Sequence, residues 1–304
     1  MLLRNAFLYL SQQPQLRSVM EDSRFARPLA NRFVAGKTLD SGLDVAAQLS
    51  SQGMLAALDR LGENVTTTEE ANAATEAYLL ALNRIEGAGL EASVSGKLTQ
   101  FGLDISEDLC VANTQRIASR ACQTVTRLEI DMEDSRYTQR TIDILRELHR
   151  SSHSVRAVIQ AYLYRSEKDI ELLNTDGIPV RLCKGAYNEP DSVAFQEKRD
   201  VDENFIRLTR MLLQRGTYPA IATHDPTMLD ATKTLARELG SSPDQFEFQM
   251  LYGIRRDLQR QFVQDGYRVR IYVPYGEAWY PYFMRRLAER PANLFFLMRN
   301  LFRS

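Results

Sequence analysis

Two adjacent arginines near the C-terminus stand in a setting that could do chemistry. In Tyr282-Phe-Met-Arg285-Arg286-Leu-Ala-Glu289, spacings of three and four put Tyr282, Arg285, Arg286 and Glu289 on adjoining parts of one helix surface. Pro281 suits the first position of that helix. Two guanidinium groups beside an aromatic ring can grip a small carboxylate or phosphate through forked hydrogen bonds. The plainer alternative is a solvated face with an ordinary Arg285–Glu289 pair. Lys97 lies in an otherwise apolar run. It could hold an anion, serve as an amine nucleophile if desolvated, or simply snorkel to water. Asp131 heads the segment Asp131-Met-Glu-Asp134, in which Glu133 and Asp134 suit the first turn of a helix. At most one of these three acids is then expected to face a site.

Such residues need a scaffold that brings them together. From about residue 50 onward, short β-branched or apolar runs alternate with longer amphipathic segments, the order of stacked βαβ units. The order recurs eight times, with predicted strands at 54–61, 90–98, 124–132, 154–163, 178–185, 218–225, 246–253 and 268–276. Helical stretches such as 66–86, 134–150 and 202–215 lie between them. The expected fold class is α/β: a (βα)8 TIM-like barrel over 51–304, preceded by an N-terminal helical arm over 1–50. Pro14, Pro28 and the Gly36–Gly42 stretch punctuate the arm. An open doubly wound sheet is the alternative. Polar residues fall where the predicted strands end: Glu63, Lys97, Asp131, Gln160, Arg181 with Lys184, Thr223 with His224, Gln249 and Tyr272. In barrels the carboxyl ends of the strands build the active site, and the strand bodies are packed core.

Composition narrows the function class. With 38 Lys+Arg against 39 Asp+Glu in 304 residues, no global attraction to nucleic acid is expected, so an anion site must be built locally. Cys110, Cys122 and Cys183 lack CxxC spacing and have apolar or small neighbours. That suits buried thiols in a reducing compartment and speaks against disulfides or a zinc cage. The apolar run 1–10 gives way at once to a polar segment with no small-residue cleavage site, so a signal peptide is not expected. No segment is apolar for long enough to span a bilayer, and the cytoplasm is the expected location. Two motifs are discounted. Gly87-Ala-Gly89-Leu-Glu-Ala92 matches a dinucleotide fingerprint but precedes a strand instead of opening a helix, and reads as a turn. His149 and His153 have the spacing of a metal pair but straddle a helix end with no third ligand nearby, so no metal is expected.

Taken in order, six segments form a recognisable set. They are Val94-Ser-Gly-Lys97-Leu-Thr-Gln-Phe-Gly-Leu103, Asp131-Met-Glu-Asp134, Val180-Arg181-Leu-Cys-Lys184-Gly-Ala-Tyr187, Thr223-His224, Phe248-Gln249-Met-Leu251-Tyr-Gly253 and Tyr282-x-x-Arg285-Arg286-x-x-Glu289. Together they resemble the proline dehydrogenase family in its short monofunctional bacterial form. The resemblance runs from about Glu63 to Glu289. Each motif alone is unspecific; the ordered set is not.

The resemblance implies a barrel that binds FAD and oxidises L-proline to Δ1-pyrroline-5-carboxylate by hydride transfer to flavin N5. That would be the first step of proline catabolism to glutamate, with electrons passed to a membrane quinone. It implies Arg285, Arg286 and Lys97 as a clamp on the substrate carboxylate, and Tyr187, Leu251, Tyr272 and Tyr282 as walls around the ring. Asp131 would complete the polar side. Arg181 would stand near flavin N5, where positive charge favours the reduced, anionic flavin. Gln160, Lys184, Thr223, His224 and Gln249 would line the cofactor. The implied catalytic set is thus Lys97, Asp131, Arg181, Tyr272, Arg285 and Arg286, with Glu63 and Arg285 meeting as a gate. The connection from Tyr272 to Arg285, filled by Trp279, Tyr280 and Pro281, is shorter than in the large bifunctional members. The second oxidation is expected on a separate pyrroline-5-carboxylate (glutamate semialdehyde) dehydrogenase. The apolar ends 1–10 and 294–302 would either meet the inner face of the cytoplasmic membrane or cap the barrel. Apart from the resemblance, a Schiff-base lyase or aldolase using Lys97 or Lys184 and a non-catalytic ligand-binding barrel are the competing readings.

Overall fold

The computed structural model describes residues 32–63 and 65–289, with side chains to Met284. Most of the helical arm, both apolar ends and the side chains of Arg285, Arg286 and Glu289 lie outside the described residues. The elements run α1 (Leu39–Ser50), β1 (Leu55–Arg60), α2 (Thr68–Gly87), β2 (Ala92–Gly96), a 3-10 turn (Leu98–Phe101), α3 (Glu107–Gln123), β3 (Leu128–Ile130), α4 (Thr138–Ser152) and β4 (Val155–Gln160). They continue as α5 (Ser166–Thr175), β5 (Val180–Cys183), α6 (Lys198–Arg215), β6 (Ala220–Ala222), α7 (Pro226–Leu239), β7 (Glu247–Leu251), α8 (Arg256–Gln264), β8 (Arg268–Tyr275) and α9 (Trp279–Glu289). The eight strands close in sequence order, each parallel to the next and β1 parallel to β8. This is the expected barrel, not the open sheet.

Register explains which residues enter the barrel. Ser95 pairs with Glu129, Glu129 with Arg156, Val158 with Arg181, and Gln249 with Arg270. Residues paired this way share a face, and this face is the inner one, because Arg156 on β4 bonds across the barrel to Glu247 on β7. The alternate positions, among them Leu58, Val94, Leu128, Ile159, Leu182, Phe248 and Ile271, are buried under the helices. The apolar core therefore lies between sheet and helical ring. The expectation that strand bodies are simply packed core holds only for their outer faces.

Inside, a lower layer of charge fills the space that barrels usually give to branched aliphatics. Arg156, fully buried, reaches Glu247 Oε1 at 2.5 Å and Glu129 Oε2 at 3.5 Å. Arg270 Nε donates to Glu247 Oε1 at 2.9 Å, and Gln249 Nε2 donates to both glutamates at 2.7 and 3.1 Å. Burial alone would raise the pKa of both carboxyls. The surrounding arginines outweigh it, holding Glu129 at about 2 and Glu247 well below the usual range.

Local chemistry sets the helix boundaries. Thr67 and Glu70 form a reciprocal capping box that starts α2, and Asp225 caps α7 with Pro226 next in line. Several expectations are corrected. Glu133 and Asp134 precede α4 instead of opening it: Asp134 Oδ1 accepts from the Arg136 N–H at 3.2 Å, forming a turn that delays the helix to Thr138. Gly42 lies inside α1, where the absent Cβ lets the helix approach the Tyr275 ring. Pro281 is the third residue of α9, still within the turn whose N–H groups lack helical acceptors. Cys110 is buried, but Cys183 is half-buried and Cys122 exposed, since Cys122 falls one position past the stripe of α3 that buries Ile117, Ala118 and Ala121. Lys97 follows β2 instead of lying in it. The segment Gly87–Ala92 runs from the last residue of α2 to the first of β2 and contains the expected turn, with Gly89 at φ 61°.

Candidate active site

Above the lower layer, four side chains converge on one carboxylate. Asp131 directly follows β3, and its N–H donates to Gly96 O at 2.9 Å, so the ladder itself aims the side chain into the mouth. Asp131 Oδ1 accepts from Ser95 Oγ at 2.9 Å and from Arg181 Nη2. Asp131 Oδ2 accepts from Tyr272 Oη at 2.7 Å and lies 3.7 Å from Lys97 Nζ. Arg181 also donates to Gln249 Oε1 at 3.1 Å, and its guanidinium stands 5.4 Å from the Tyr272 ring centre. Arg181, Gln249 and Tyr272 thus belong to strand interiors, not strand ends, and it is the length of Arg181 that joins the lower layer to the upper one.

Lys97 is positioned by the 3-10 turn. Its N–H donates to Gln100 Oε1 at 2.9 Å, and Gln100 Nε2 donates to Arg60 O at 2.7 Å, tying the end of β2 to the end of β1. The ammonium pairs with Glu63 at 3.5 Å. Burial disfavours its charge, but Glu63, Asp59 and Asp131 outweigh that and raise its pKa well above the ordinary value. A Schiff-base lysine needs the opposite shift, so the aldolase reading loses Lys97. Lys184, its other candidate, is ion-paired to Asp202 and, at 2.7 Å, to Asp225. Burial and then Asp131 push the Tyr272 phenol far upward, so it stays a donor.

The remaining expected residues lie around this cluster. Leu251 pairs in register with Tyr272. Tyr187 stands on the β5–α6 loop, half-buried and close enough to Lys97 for its charge to be felt. That loop leaves β5 through Gly185 at φ 112°, where the Tyr162 ring occupies the space of a side chain. It is then held by Glu189, which accepts from the Ser135 N–H at 2.7 Å and from Ser135 Oγ at 2.5 Å. Gln160 Nε2 donates to Glu133 O at 2.9 Å, Thr223 Oγ1 accepts from the Asp225 N–H at 3.1 Å, and His224 Nε2 accepts from the Leu251 N–H at 2.9 Å. These three line the ends of β4, β6 and β7. Gln249 lies deeper, engaged by Arg181 and both buried glutamates. Tyr282 is buried on α9, which also carries Arg285 and Arg286. The Glu63 side of the anticipated gate faces Lys97; the Arg285 side lies outside the described side chains.

Besides Arg156, Arg270 and Glu247 of the lower layer, the sequence-based expectations do not include Asp59, Ser95 or Glu129 among the inner residues, and they take Glu133 for a helix opener. Asp59 is 1% exposed and neither carboxylate oxygen has a close hydrogen-bond partner. Glu133, raised by burial to about 7, accepts from the Thr99 N–H and hydroxyl at 3.2 and 2.8 Å. A strict two-residue polar alternation, Ser93/Ser95 and Glu129/Asp131, was the available signal for the strand residues.

A closed (βα)8 barrel whose mouth gathers Lys97, Arg181, Asp131 and Tyr272 has the form of an enzyme site. Comparison with known proteins sharpens the class. The proline dehydrogenase family model matches residues 43–299. Proline dehydrogenase 2 of Bacillus subtilis (strain 168) is 44% identical over 99% of both chains. Proline dehydrogenase of Deinococcus radiodurans is 37% identical over 99% of this chain and 98% of its own. The chain belongs to the proline dehydrogenase family and is an oxidoreductase. Among solved structures, proline utilization A from Bdellovibrio bacteriovorus, inactivated by N-propargylglycine, superposes with a TM-score of 0.81 at 25% identity over 87% of this chain. This chain spans 33% of that much longer one.

Proposed function

We propose that the protein binds FAD across the ends of β4 to β7 and oxidises L-proline to Δ1-pyrroline-5-carboxylate in the mouth formed by Lys97, Asp131, Arg181 and Tyr272. The observation that carries this reading is the Asp131 hub, which locks a guanidinium and a phenol beside a more loosely held ammonium around one opening. The donor set fits a flavin. Arg181, 4% exposed, offers a fixed positive charge within the mouth. Lys184, three positions on, stands at the rim with its side chain 25% exposed, and His224 presents a ring whose Nε2 accepts a backbone hydrogen bond. A bound flavin supplies the two-electron acceptor.

The protein's own groups then have distinct tasks. Lys97, with Arg285 and Arg286 from α9, holds the substrate carboxylate. Tyr272 and Leu251, neighbours in register, and Tyr187 and Tyr282 bound the ring. Arg181 keeps positive charge where negative charge accumulates on the cofactor. Asp131 fixes the orientation of Arg181 and Tyr272. Glu63 and Arg285 close over the bound substrate. The electrons pass to a membrane quinone, and the product passes to a separate pyrroline-5-carboxylate dehydrogenase. A visible spectrum tests the reading: the purified protein is yellow, and anaerobic proline bleaches the band near about 450 nm that oxidised flavins share. A flavin that stays oxidised under proline refutes the substrate assignment, and a colourless protein that cannot be loaded with FAD refutes the cofactor.

A further inference from the structure

Asp59 is a buried carboxyl of the barrel that the preceding scheme leaves without a task. It pairs in register with Ser95 on β2 and Pro274 on β8, which turns its side chain inward, one layer beneath Lys97. It is 1% exposed, and both of its oxygens are buried without a close hydrogen-bond partner, because the hydroxyl of neighbouring Tyr272 is donated to Asp131. Glu129, Glu133, Asp131 and Glu247 all receive hydrogen bonds. A carboxylate left bare in a low-dielectric setting is strongly disfavoured relative to the acid.

The groups that face Asp59 come from each neighbouring element: Lys97 after β2, Asp131 after β3, Tyr272 and Tyr275 on β8, Glu63 after β1 and Tyr78 on α2. Lys97 itself makes its close ion pairs elsewhere, with Glu63 at 3.5 Å and Asp131 at 3.7 Å. Among the described residues of this upper layer, the carboxyls of Asp59, Glu63 and Asp131 outnumber the cations Lys97 and Arg181. An incoming carboxylate brings a further negative charge close to these three carboxyls. A proton on Asp59 offsets that charge without breaking any of the close hydrogen bonds that fix Asp131.

We propose that Asp59 is the proton-holding residue that tunes Lys97 for its anionic ligand, so that a substrate carboxylate entering the mouth is accompanied by a proton taken from solvent onto Asp59. It is a positioning residue acting through Lys97, and the inference rests on the proline carboxylate being the ligand of Lys97. Burial, partly opposed by Lys97, already pushes Asp59 up to about 6 in the free protein. A second anion on Lys97 weakens the stabilisation that Lys97 gives Asp59 and raises it further. The linkage sign follows: affinity for the anion is greatest below the free value and falls as pH rises above it. If the bound anion makes Asp59 about tenfold more avid for its proton, the anion's affinity falls by about tenfold in all across that range.

Isothermal titration of the FAD-saturated full-length protein with cyclopentanecarboxylate tests this. The ligand has the ring and the carboxylate but no amine, and it is almost wholly ionised over the pH range used, so its own small proton release at the acid end is subtracted. Between pH 6 and pH 8, runs in buffers of different ionisation enthalpy are expected to show uptake of a fraction of one proton per ligand bound. Asp59→Asn is expected to abolish the uptake and to hold the affinity near the wild-type low-pH value at every pH. Glu133→Gln, which removes the other raised carboxyl near Lys97, is expected to retain the uptake. Binding without proton uptake in the wild type overturns the inference while the proline reading stands, as does uptake that survives in Asp59→Asn. Failure to bind at any pH overturns both. If Asp59→Asn does not fold, the infrared difference spectrum of Glu133→Gln on ligand binding decides instead. Gain of a protonated-carboxyl band supports the inference, and its absence overturns it.

Discussion

Arg156→Met tests whether the charged lower layer holds the barrel by charge or merely fills it. The wild-type guanidinium has no exposed surface and lies 2.5 Å from Glu247 Oε1 and 3.5 Å from Glu129 Oε2, both carboxyls being fully buried. Methionine restores much of the volume and none of the charge, so two buried carboxylates are left to Arg270 and Arg181. Removing one partner of a buried ion pair typically costs about 3–5 kcal/mol, against a total stability of roughly 5–15 kcal/mol. The unfolding midpoint should therefore drop steeply at pH 7. Arg156→Met/Glu247→Gln should recover at least half of the loss, since the amide can still bond to Arg270 and Gln249 while the uncompensated charge is gone. The pH dependence carries the sign. In the wild type Glu247 lies well below its ordinary value of 4.5, so its contribution is complete above that value and is lost as pH falls through the depressed one. Without Arg156 the folded pKa rises, and protonation relieves the variant under mild acid. The stability gap between variant and wild type should narrow from pH 7 to pH 5, read by urea denaturation with Trp279 fluorescence. A gap that is equal at both pH values and unaltered by Glu247→Gln refutes the electrostatic account in favour of a packing defect.

Other perturbations read other parts of the chain. Tyr272→Phe removes the 2.7 Å bond to Asp131. A bond to a charged acceptor is worth about 1.5–3 kcal/mol, so kcat/KM for proline should fall roughly ten- to a hundred-fold, and unchanged kinetics would remove Tyr272 from the site. Val125, 94% exposed, adopts φ 53° in the turn before β3, a left-handed conformation that a β-branched side chain resists. Val125→Gly should stabilise the protein by about 0.5–1 kcal/mol net of the extra freedom of the unfolded chain; a lower melting temperature contradicts this. Burial and then His153 lower the pKa of His149 from 6.5, so unfolding takes up protons and stability declines as pH drops below that value. His149→Gln should flatten the urea-midpoint profile between pH 7 and pH 5, and a slope equal to the wild type's counts against it. Flotation with anionic liposomes addresses the apolar ends: failure to bind in both oxidised and reduced states leaves barrel capping as their role.

How much of this was legible in the sequence depended on whether a feature is local. The outer faces of the strands announce themselves as apolar alternation, and the βα order recurs often enough that closure into eight strands could be expected. The mouth residues after β2, β3 and β6 could be found because each polar side chain follows an apolar run. Arg156 and Glu247 could not. They are 91 positions apart, each looks like an unremarkable charge in a short strand, and only barrel closure makes them partners. The start of α4 was misplaced for a related reason. Asp134 has the composition of a helix opening, but its carboxylate bonds to the backbone two residues on and makes a turn.

The two inner layers differ in how completely their bonds are made, and that difference separates scaffold from site. In the lower one every carboxylate oxygen is engaged: Glu129 by Ser93 and Gln249, Glu247 by Arg156, Arg270, Gln249 and Tyr218. No carboxylate there can take a further donor without crowding a bond already formed, although Arg156 Nε is left without a partner. The upper one is only partly closed. Asp131 is saturated, which fixes Arg181 and Tyr272, but Lys97 holds Glu63 and Asp131 at 3.5 and 3.7 Å, distances longer than a charge-assisted hydrogen bond. An ammonium held loosely by two carboxylates can turn toward a third anion at small cost, whereas a guanidinium forked between Asp131 and Gln249 cannot. Rigid charge beneath and an uncommitted ammonium above is the arrangement expected of a mouth that positions one group and receives another. By the same reasoning, shortening the Lys97–Glu63 contact with a better-placed carboxylate should weaken substrate binding even though it adds an ion pair.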